Sequence, residues 1–317
     1  MQVISDTLGQ LQLGEPNSFE RLAVFPLLGD TSSEADYLTL DDALETEQAR
    51  VQEVSDSGSV PDLRFDNLGE RRVLLVDGDE LVGAKQNRSV NLTILVPAHS
   101  TIEIPVSCVE AGRWAYHSDE FNSGRRSMYA RGRASKMEQV SANMKVSGDH
   151  YSDQSAVWDD IETMACDLSV SSPTSAMADL YEGHEEQLGT YREAFKAEVG
   201  QQGAVFAING TIIGLEYFDS PKPFAHYLDK LVGSYAFEAM LARETDGKAV
   251  SSDAVLTFLK TVGTAGGDIY LALGEGCQVN HSLVGNERTA DDAFARKAQV
   301  LACLLYTSDA ADDAMKV

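Results

Sequence analysis

The stretch that decides the fold is Val73–Trp114, VLLVDGDELVGAKQNRSVNLTILVPAHSTIEIPVSCVEAGRW. Val90, Leu92, Ile94 and Val96 fall at every second position, and Ile102, Ile104 and Val106 repeat the spacing beyond the Pro97–Ser100 turn. A period of two puts such side chains on one face of a strand. Val73–Val76 is a further apolar run that stops at Asp77-Gly78, a turn dipeptide, and Glu80–Ala84 resumes the strand. Turn signals at roughly 8–12-residue spacing suit a sandwich of short strands. Residues 13–117 are therefore expected to form a β-sandwich-like region.

Upstream, residues 1–20 show weak periodicity. Leu22–Leu28 is a short apolar strand that Pro26 should confine to an edge or a bulge. Thr39-Leu-Asp-Asp-Ala-Leu-Glu45 places a capping Thr or Asp before a helix-favouring run, and Val51–Val54 reads as a strand. Downstream, residues 118–150 are a polar, Arg- and Ser-rich connection, a loop or a poorly packed helix. Residues 151–286 then read as α+β. Helices are expected over Gln154–Leu168, Phe224–Arg243 and Ser252–Val262, and a charged helical stretch over Ala176–Val199, interrupted near Gly183 and Gly189. Asn209-Gly210 marks a hairpin, because this pair supplies the positive φ angles of a type I′ turn. A last strand pair is placed at Ile269–Leu273 and Gln278–Val284.

The expected class is thus α+β, with both regions packed as one unit. Residues 287–317 are set apart as a tail. Leu304–Asp313 is similar to translated adapter sequence, which puts the native terminus somewhere after Asn286.

The net charge is −25, and residues 1–70 hold 15 acidic and 3 basic side chains. Such a surface repels nucleic-acid phosphates and anionic membranes, so neither partner is expected. The chain shows no secretory signal pattern and no apolar run near the ~20 residues of a membrane span, which points to the cytoplasm. One basic island, Arg113, Arg125, Arg126, Arg131, Arg133, Lys136 and Lys145, reads either as pairing for the acidic N-terminal region or as an anion platform. Cys108, Cys166, Cys277 and Cys303 form no CxxC pair, and the six histidines form no HxH, HxxxH or HExxH motif. Neither a metal nor a cofactor is therefore expected.

Chemistry concentrates at two turns. Glu80, Lys85, Gln86, Asn87 and Arg88 flank and fill the first. Glu80 and Arg88 can pair across a hairpin while Gln86 and Asn87 satisfy backbone groups, or the row of polar side chains can hold a ligand. Cys108, Glu110, Arg113 and Trp114 fill the second. Cys108 and Glu110 share a strand face opposite Val109, so they are candidate nucleophile and base, with His99 or His117 assisting; the plain alternative is a buried structural thiol. Arg113-Trp114 can clamp a planar anion or form a cation–π contact.

LVGAKQNR (Leu81–Arg88), IPVSCVEAGRW (Ile104–Trp114) and QSAVWDDI (Gln154–Ile161) together resemble a prokaryotic family, the ADP-ribosylglycohydrolase- and rhodanese/phosphatase-superfamily-associated protein domain. SVPDLRFDN and INGTIIGLEYF extend the similarity over about Leu13–His281. The resemblance implies a link to ADP-ribose or NAD metabolism, in stress or defence systems, and carries no established catalytic residue. It adds Gln154 and Trp158 to the site positions.

The leading expectation is a ligand-binding or effector module for a nucleotide-like or phosphorylated small molecule. Arg88 and Arg113 engage phosphate, Trp114 stacks, and Gln86 and Asn87 orient the ligand. The rivals are a hydrolase or transferase using Cys108 or Glu110, and a protein-interaction subunit whose acidic surface meets a basic partner.

Overall fold

The structure, a computed structural model, describes residues 2–31, 34–55, 58–243 and 249–281. The chain opens with α1 (Gln2–Gln10), β1 (Gln12–Leu13), β2 (Asn17–Phe19), β3 (Leu22–Leu28), β4 (Tyr37–Thr39) and α2 (Leu40–Glu45). Six short strands follow: β5 (Ala49–Glu53), β6 (Asp62–Asn67), β7 (Arg72–Leu75), β8 (Asp79–Gly83), β9 (Arg88–Val90) and β10 (Ile94–Val96). Then come β11 (Ser100–Cys108), β12 (Phe121–Ser127), α3 (Ala130–Val146), α4 (Gln154–Asp167), α5 (Met177–Gly183) and α6 (Glu185–Ala194). The chain continues through β13 (Gln201–Ile208), β14 (Thr211–Tyr217), α7 (Pro221–Leu241), α8 (Ser252–Thr264), β15 (Gly267–Leu271) and β16 (Cys277–His281). The class is α+β.

The β-rich region closes on itself. β11, β6, β5, β12, β8 and β9 pair in that order into a barrel, every pairing antiparallel. Leu63 and Phe65, Ile104 and Val106, and Val51, Leu81, Val90 and Phe121 are buried in its core. A sandwich and a barrel both need one apolar face per strand, so the alternation describes either; closure removes the sheet edges that a sandwich keeps. The strand that completes the barrel, β12, lies in the polar stretch expected to be a connection. It pairs with β5 and β8, and its register shifts between Ser123 and Ser127. α3, from the same stretch, packs Met137, Val140 and Met144 onto the barrel core.

A second sheet runs β1-β3-β13-β14, with β2 also on β3. β13 is buried along its length because both faces are covered. Ala204, Phe206 and Ile208 join the core that includes Leu231 and Tyr235 of α7. Val205 and Ala207 join Ile4 and Leu8 of α1 and Val255, Leu259 and Val262 of α8. Two covered faces account for the continuous apolar run AVFAI. α1 itself lies in the segment of weak periodicity, where Ile4 and Leu8 are a single i, i+4 pair.

Pro26 does not put β3 at an edge. The strand pairs with β13 on one side, Leu22 opposite Ile208 and Pro26 opposite Ala204. On its other side β2 covers Leu22–Val24 and β1 covers Leu27 and Leu28. Pro26 falls in the break between these two partners, where a missing N–H costs no ladder bond on that side. Thr39 caps α2 by accepting from the Asp42 N–H. Asn209 (φ 47°) and Gly210 (φ 79°) make the β13–β14 turn. Gly183 ends α5, whereas Gly189 lies inside α6 and interrupts nothing. The tail at 287–317, its segment 304–313 and the end of the last strand at Val284 lie outside the described residues. Among the described residues no helix is long and apolar enough to cross a membrane.

Candidate functional site

The loop 84–87 between β8 and β9 is largely buried at the end of the barrel. Gly83 (φ 140°) and Ala84 (φ 40°) turn the chain inward, and Gln86, Asn87 and Arg88 are buried. Gln86 Nε2 donates to the Glu110 carbonyl (2.9 Å), and Asn87 Oδ1 accepts from Arg113 (3.0 Å). Arg113 spends its guanidinium on the Glu110 carboxylate (2.7 Å) and on the Gly83, Ala84 and Ala115 carbonyls. Gln154 copies a strand: its amide accepts from the Cys108 N–H and donates to the Cys108 carbonyl, both at 2.8 Å. Gln86, Asn87, Arg113 and Gln154 are thus engaged in holding the two turns together.

Arg88 is fully enclosed, with 0% of its surface exposed. It does not pair with Glu80, which lies opposite Ser89 and bonds Arg126 instead (2.7 Å). Arg88 Nη1 donates to Gln86 O (3.0 Å), and Nη2 lies 3.9 Å from Glu53 Oε1. Its Nε and both Glu53 oxygens are enclosed without a hydrogen-bond partner. Above this group lies Trp114, half exposed, with Lys85 Nζ 5.5 Å and the Arg88 guanidinium 5.8 Å from its ring centre. The cation–π partners of Trp114 are therefore Lys85 and Arg88.

Cys108 and Glu110 share a strand face, while Val109 enters the opposite core. The two reactive groups do not meet. Cys108 Sγ donates to Gln86 Oε1 (2.9 Å) and approaches the carbonyl of Glu110 (3.5 Å). The Glu110 carboxylate is taken by Arg113, the Asn87 N–H (3.1 Å) and Thr174 Oγ1 (3.1 Å). Burial opposes its charge, but these donors outweigh burial and hold its pKa below the usual value. Burial pushes the Cys108 thiol up, although Arg88 and the Trp158 indole pull the other way. His99 pairs with Glu70 (3.0 Å), and His117 reaches this loop through its backbone N–H to Ala84 O. Among the described residues no cluster of His, Cys, Asp and Glu is arranged to hold a metal ion.

The basic island resolves into pairs. Arg113 meets Glu110, Arg125 Glu45, Arg126 Glu80, Arg131 Asp160, Arg133 Glu216, Lys136 Asp77 and Lys145 Asp268. Several of these carboxylates are buried, and two of them, Asp77 and Glu80, come from one tetrapeptide, Asp77-Gly-Asp-Glu80, whose Gly78 (φ 91°) admits no side chain because a Cβ would stand 2.3 Å from Arg133. Asp79 accepts from Lys230 (3.0 Å), Tyr227 (2.7 Å) and the Val76 N–H (2.9 Å). Lys230 also donates to Asp41 (2.8 Å), which His226 joins at 3.1 Å. Burial pushes Glu80 up to about 6 against the pull of Arg126. Sequence reasoning took Asp77-Gly78 as a plain turn and passed over Lys230 and Glu238. The available signal was a charge at core-facing positions of an apolar helix, YLDKLVGSYAFEAML.

The family model of the ARG and Rhodanese-Phosphatase-superfamily-associated Protein domain, ARPP-1, matches residues 10–305. The chain belongs to the ARPP-1 family. The match covers the barrel, the second sheet and every site residue above. Neither a curated protein nor a solved structure matches the ARPP-1 chain.

Proposed function

We propose that this ARPP-1 chain is a binding module for a nucleotide-like anion, held at the barrel end by Arg88, Lys85 and Trp114. One observation carries the reading: Arg88 Nε and both Glu53 oxygens are enclosed without hydrogen-bond partners beneath a half-exposed tryptophan. A guanidinium keeps its charge even when buried, and a buried donor left unpaired is costly. A phosphate oxygen on Nε removes that cost. The Glu53 carboxylate, acceptor only, suits ribose hydroxyls, and the Trp114 ring offers a base its stacking face. Because Arg88 is covered, the ligand enters as Trp114 swings outward. Gln86, Asn87, Arg113, Gln154 and Trp158 form the wall behind it, and Glu80 belongs to the neighbouring network.

The family's association with ADP-ribosylglycohydrolases makes ADP-ribose derivatives the first ligands to try. The hydrolase or transferase alternative needs the Cys108 thiol and the Glu110 carboxylate to act on one another, and the contacts of both groups lead elsewhere. The test is thermal unfolding with ADP-ribose or NAD. A ligand at about 100 times its dissociation constant adds about 2.7 kcal/mol. The shift is expected with ADP-ribose and lost in Trp114→Ala, whose unliganded midpoint stays near that of the unsubstituted chain. No shift with either ligand overturns the reading and favours a basic protein partner.

A further inference from the structure

A second basic site lies away from the barrel end. β12, α6 and α7 enclose a cleft of about 300 Å³ whose walls include Arg125, Arg126, Arg192 and Lys230 against two acidic side chains, Glu185 and Asp229. A two-to-one excess of cations is notable in a chain with 50 acidic and 25 basic residues. The backbone is bent to produce it. Consecutive strand residues point to opposite faces, yet Arg125 and Arg126 line the same cleft. The register of β12 shifts between Ser123 and Ser127, and Arg125 adopts φ 52°, left-handed for a residue with a Cβ. Bulges and strained residues of this kind re-aim side chains at binding sites. Gly124 is required beside them, because a Cβ there would stand 2.5 Å from Glu80 Oε2.

The carboxylates that pair with this group lie partly behind it and partly at the surface, where Glu45 meets Arg125 at 3.2 Å and Glu182 approaches Arg126. Glu80, Asp79 and Asp41 are buried. Arg126 spends Nε on Glu80 and Nη1 on the Ala178 carbonyl and Glu182. Burial works against charge on Lys230, but Asp79 and Asp41 outweigh it and raise its pKa, so the ammonium stays charged. Arg192 is held by Glu185 at 2.7 Å on the same wall, and its guanidinium lies over Gly233 of α7, where a Cβ would stand 3.6 Å from Nε.

From this geometry we infer that the cleft is a binding site for a small phosphorylated anion, with Arg126, Arg192 and Arg125 as its donors and Lys230 as the fixed charge at its floor. The volume suits inorganic phosphate, pyrophosphate or a sugar phosphate. Arginine presents planar paired donors that fit phosphoryl oxygens.

The experiment is calorimetric titration of the full chain with pyrophosphate at fixed, low salt. Arg192→Gln and Arg125→Gln are the informative variants, since both side chains are accessible and neither anchors the core; far-ultraviolet circular dichroism confirms their fold. Losing one charge-assisted contact is expected to weaken pyrophosphate about tenfold or more in each variant. Both arginine variants are expected to keep the ADP-ribose response read at Trp114, so a failure here is separable from a failure at the barrel end. No binding by the unsubstituted chain overturns the inference. So does unchanged pyrophosphate affinity in both arginine variants.

Discussion

Replacing Lys230 with Met tests whether the charges between barrel and α7 form one network. The ammonium bonds Asp41 at 2.8 Å and Asp79 at 3.0 Å, and all three side chains are buried. Met fills a similar volume without the charge, so the change leaves two buried carboxylates short of a cation. Breaking a buried pair costs about 3–5 kcal/mol. Asp79 keeps Tyr227 and the Val76 N–H, and Asp41 keeps His226 and Ser123, so the carboxylates are weakened rather than orphaned. The lower end of the range, about 3 kcal/mol, is the expected loss. Native domains are stable by about 5–15 kcal/mol, so the variant folds but is visibly weakened. Urea unfolding at pH 7.5 measures it, with an unchanged slope as the sign that the folded state is intact. Adding Asp41→Asn is expected to recover part of the loss, because the two changes remove one interaction together. A loss under about 1 kcal/mol is what an exposed pair gives, and refutes the buried-network reasoning.

Two further outcomes follow from burial. Glu238 accepts the Arg131 N–H at 2.7 Å with one oxygen, the other is enclosed without a partner, and burial pushes its pKa from 4.5 to about 7. The folded state therefore holds this proton more tightly than the unfolded chain, and its contribution to stability is present below pH 4.5 and lost as pH rises to about 7. Glu238→Gln mimics the protonated form, so it is expected to be more stable than the unsubstituted chain at pH 8, by up to about 3 kcal/mol, with the gap closing near pH 5; an equal gap at both pH values contradicts this. Cys108, buried and pushed up in pKa, is expected to resist iodoacetamide at pH 7.5 while exposed Cys166 reacts, and to react only after unfolding in urea. Peptide mass spectrometry reads the difference, and rapid native alkylation of Cys108 revives the nucleophile reading.

Local structure was legible wherever a short segment decides its own geometry. Thr39 and the Asn209-Gly210 turn are read correctly because a cap and a type I′ turn depend on residues three or four apart. Ile104 and Val106 announce their strand for the same reason. Barrel closure was not legible, since it depends on β12, whose FNSGRRS carries charges that meet Glu45 of α2 and Glu80 of β8. Pro26 was half legible: β3 is not an edge strand, but the proline sits beside the register shift of the β3–β13 ladder between Gln201 and Gly203. At the candidate site the polar character of both turns was legible and their mutual packing was not. Within Lys85-Gln-Asn-Arg88, Gln86 and Asn87 bond to Glu110, Cys108 and Arg113 from the next turn, a pairing that no spacing within either segment encodes.

The central claim, a nucleotide-like anion under Trp114, is tested most directly by fluorescence. The chain has two tryptophans, Trp114 and Trp158, and Trp114 is the one above Arg88. Titration with ADP-ribose is predicted to give a saturable change in emission that Trp114→Ala abolishes while Trp158 emission stays constant. An unsubstituted chain without any change, or an equal change in Trp114→Ala, contradicts the account.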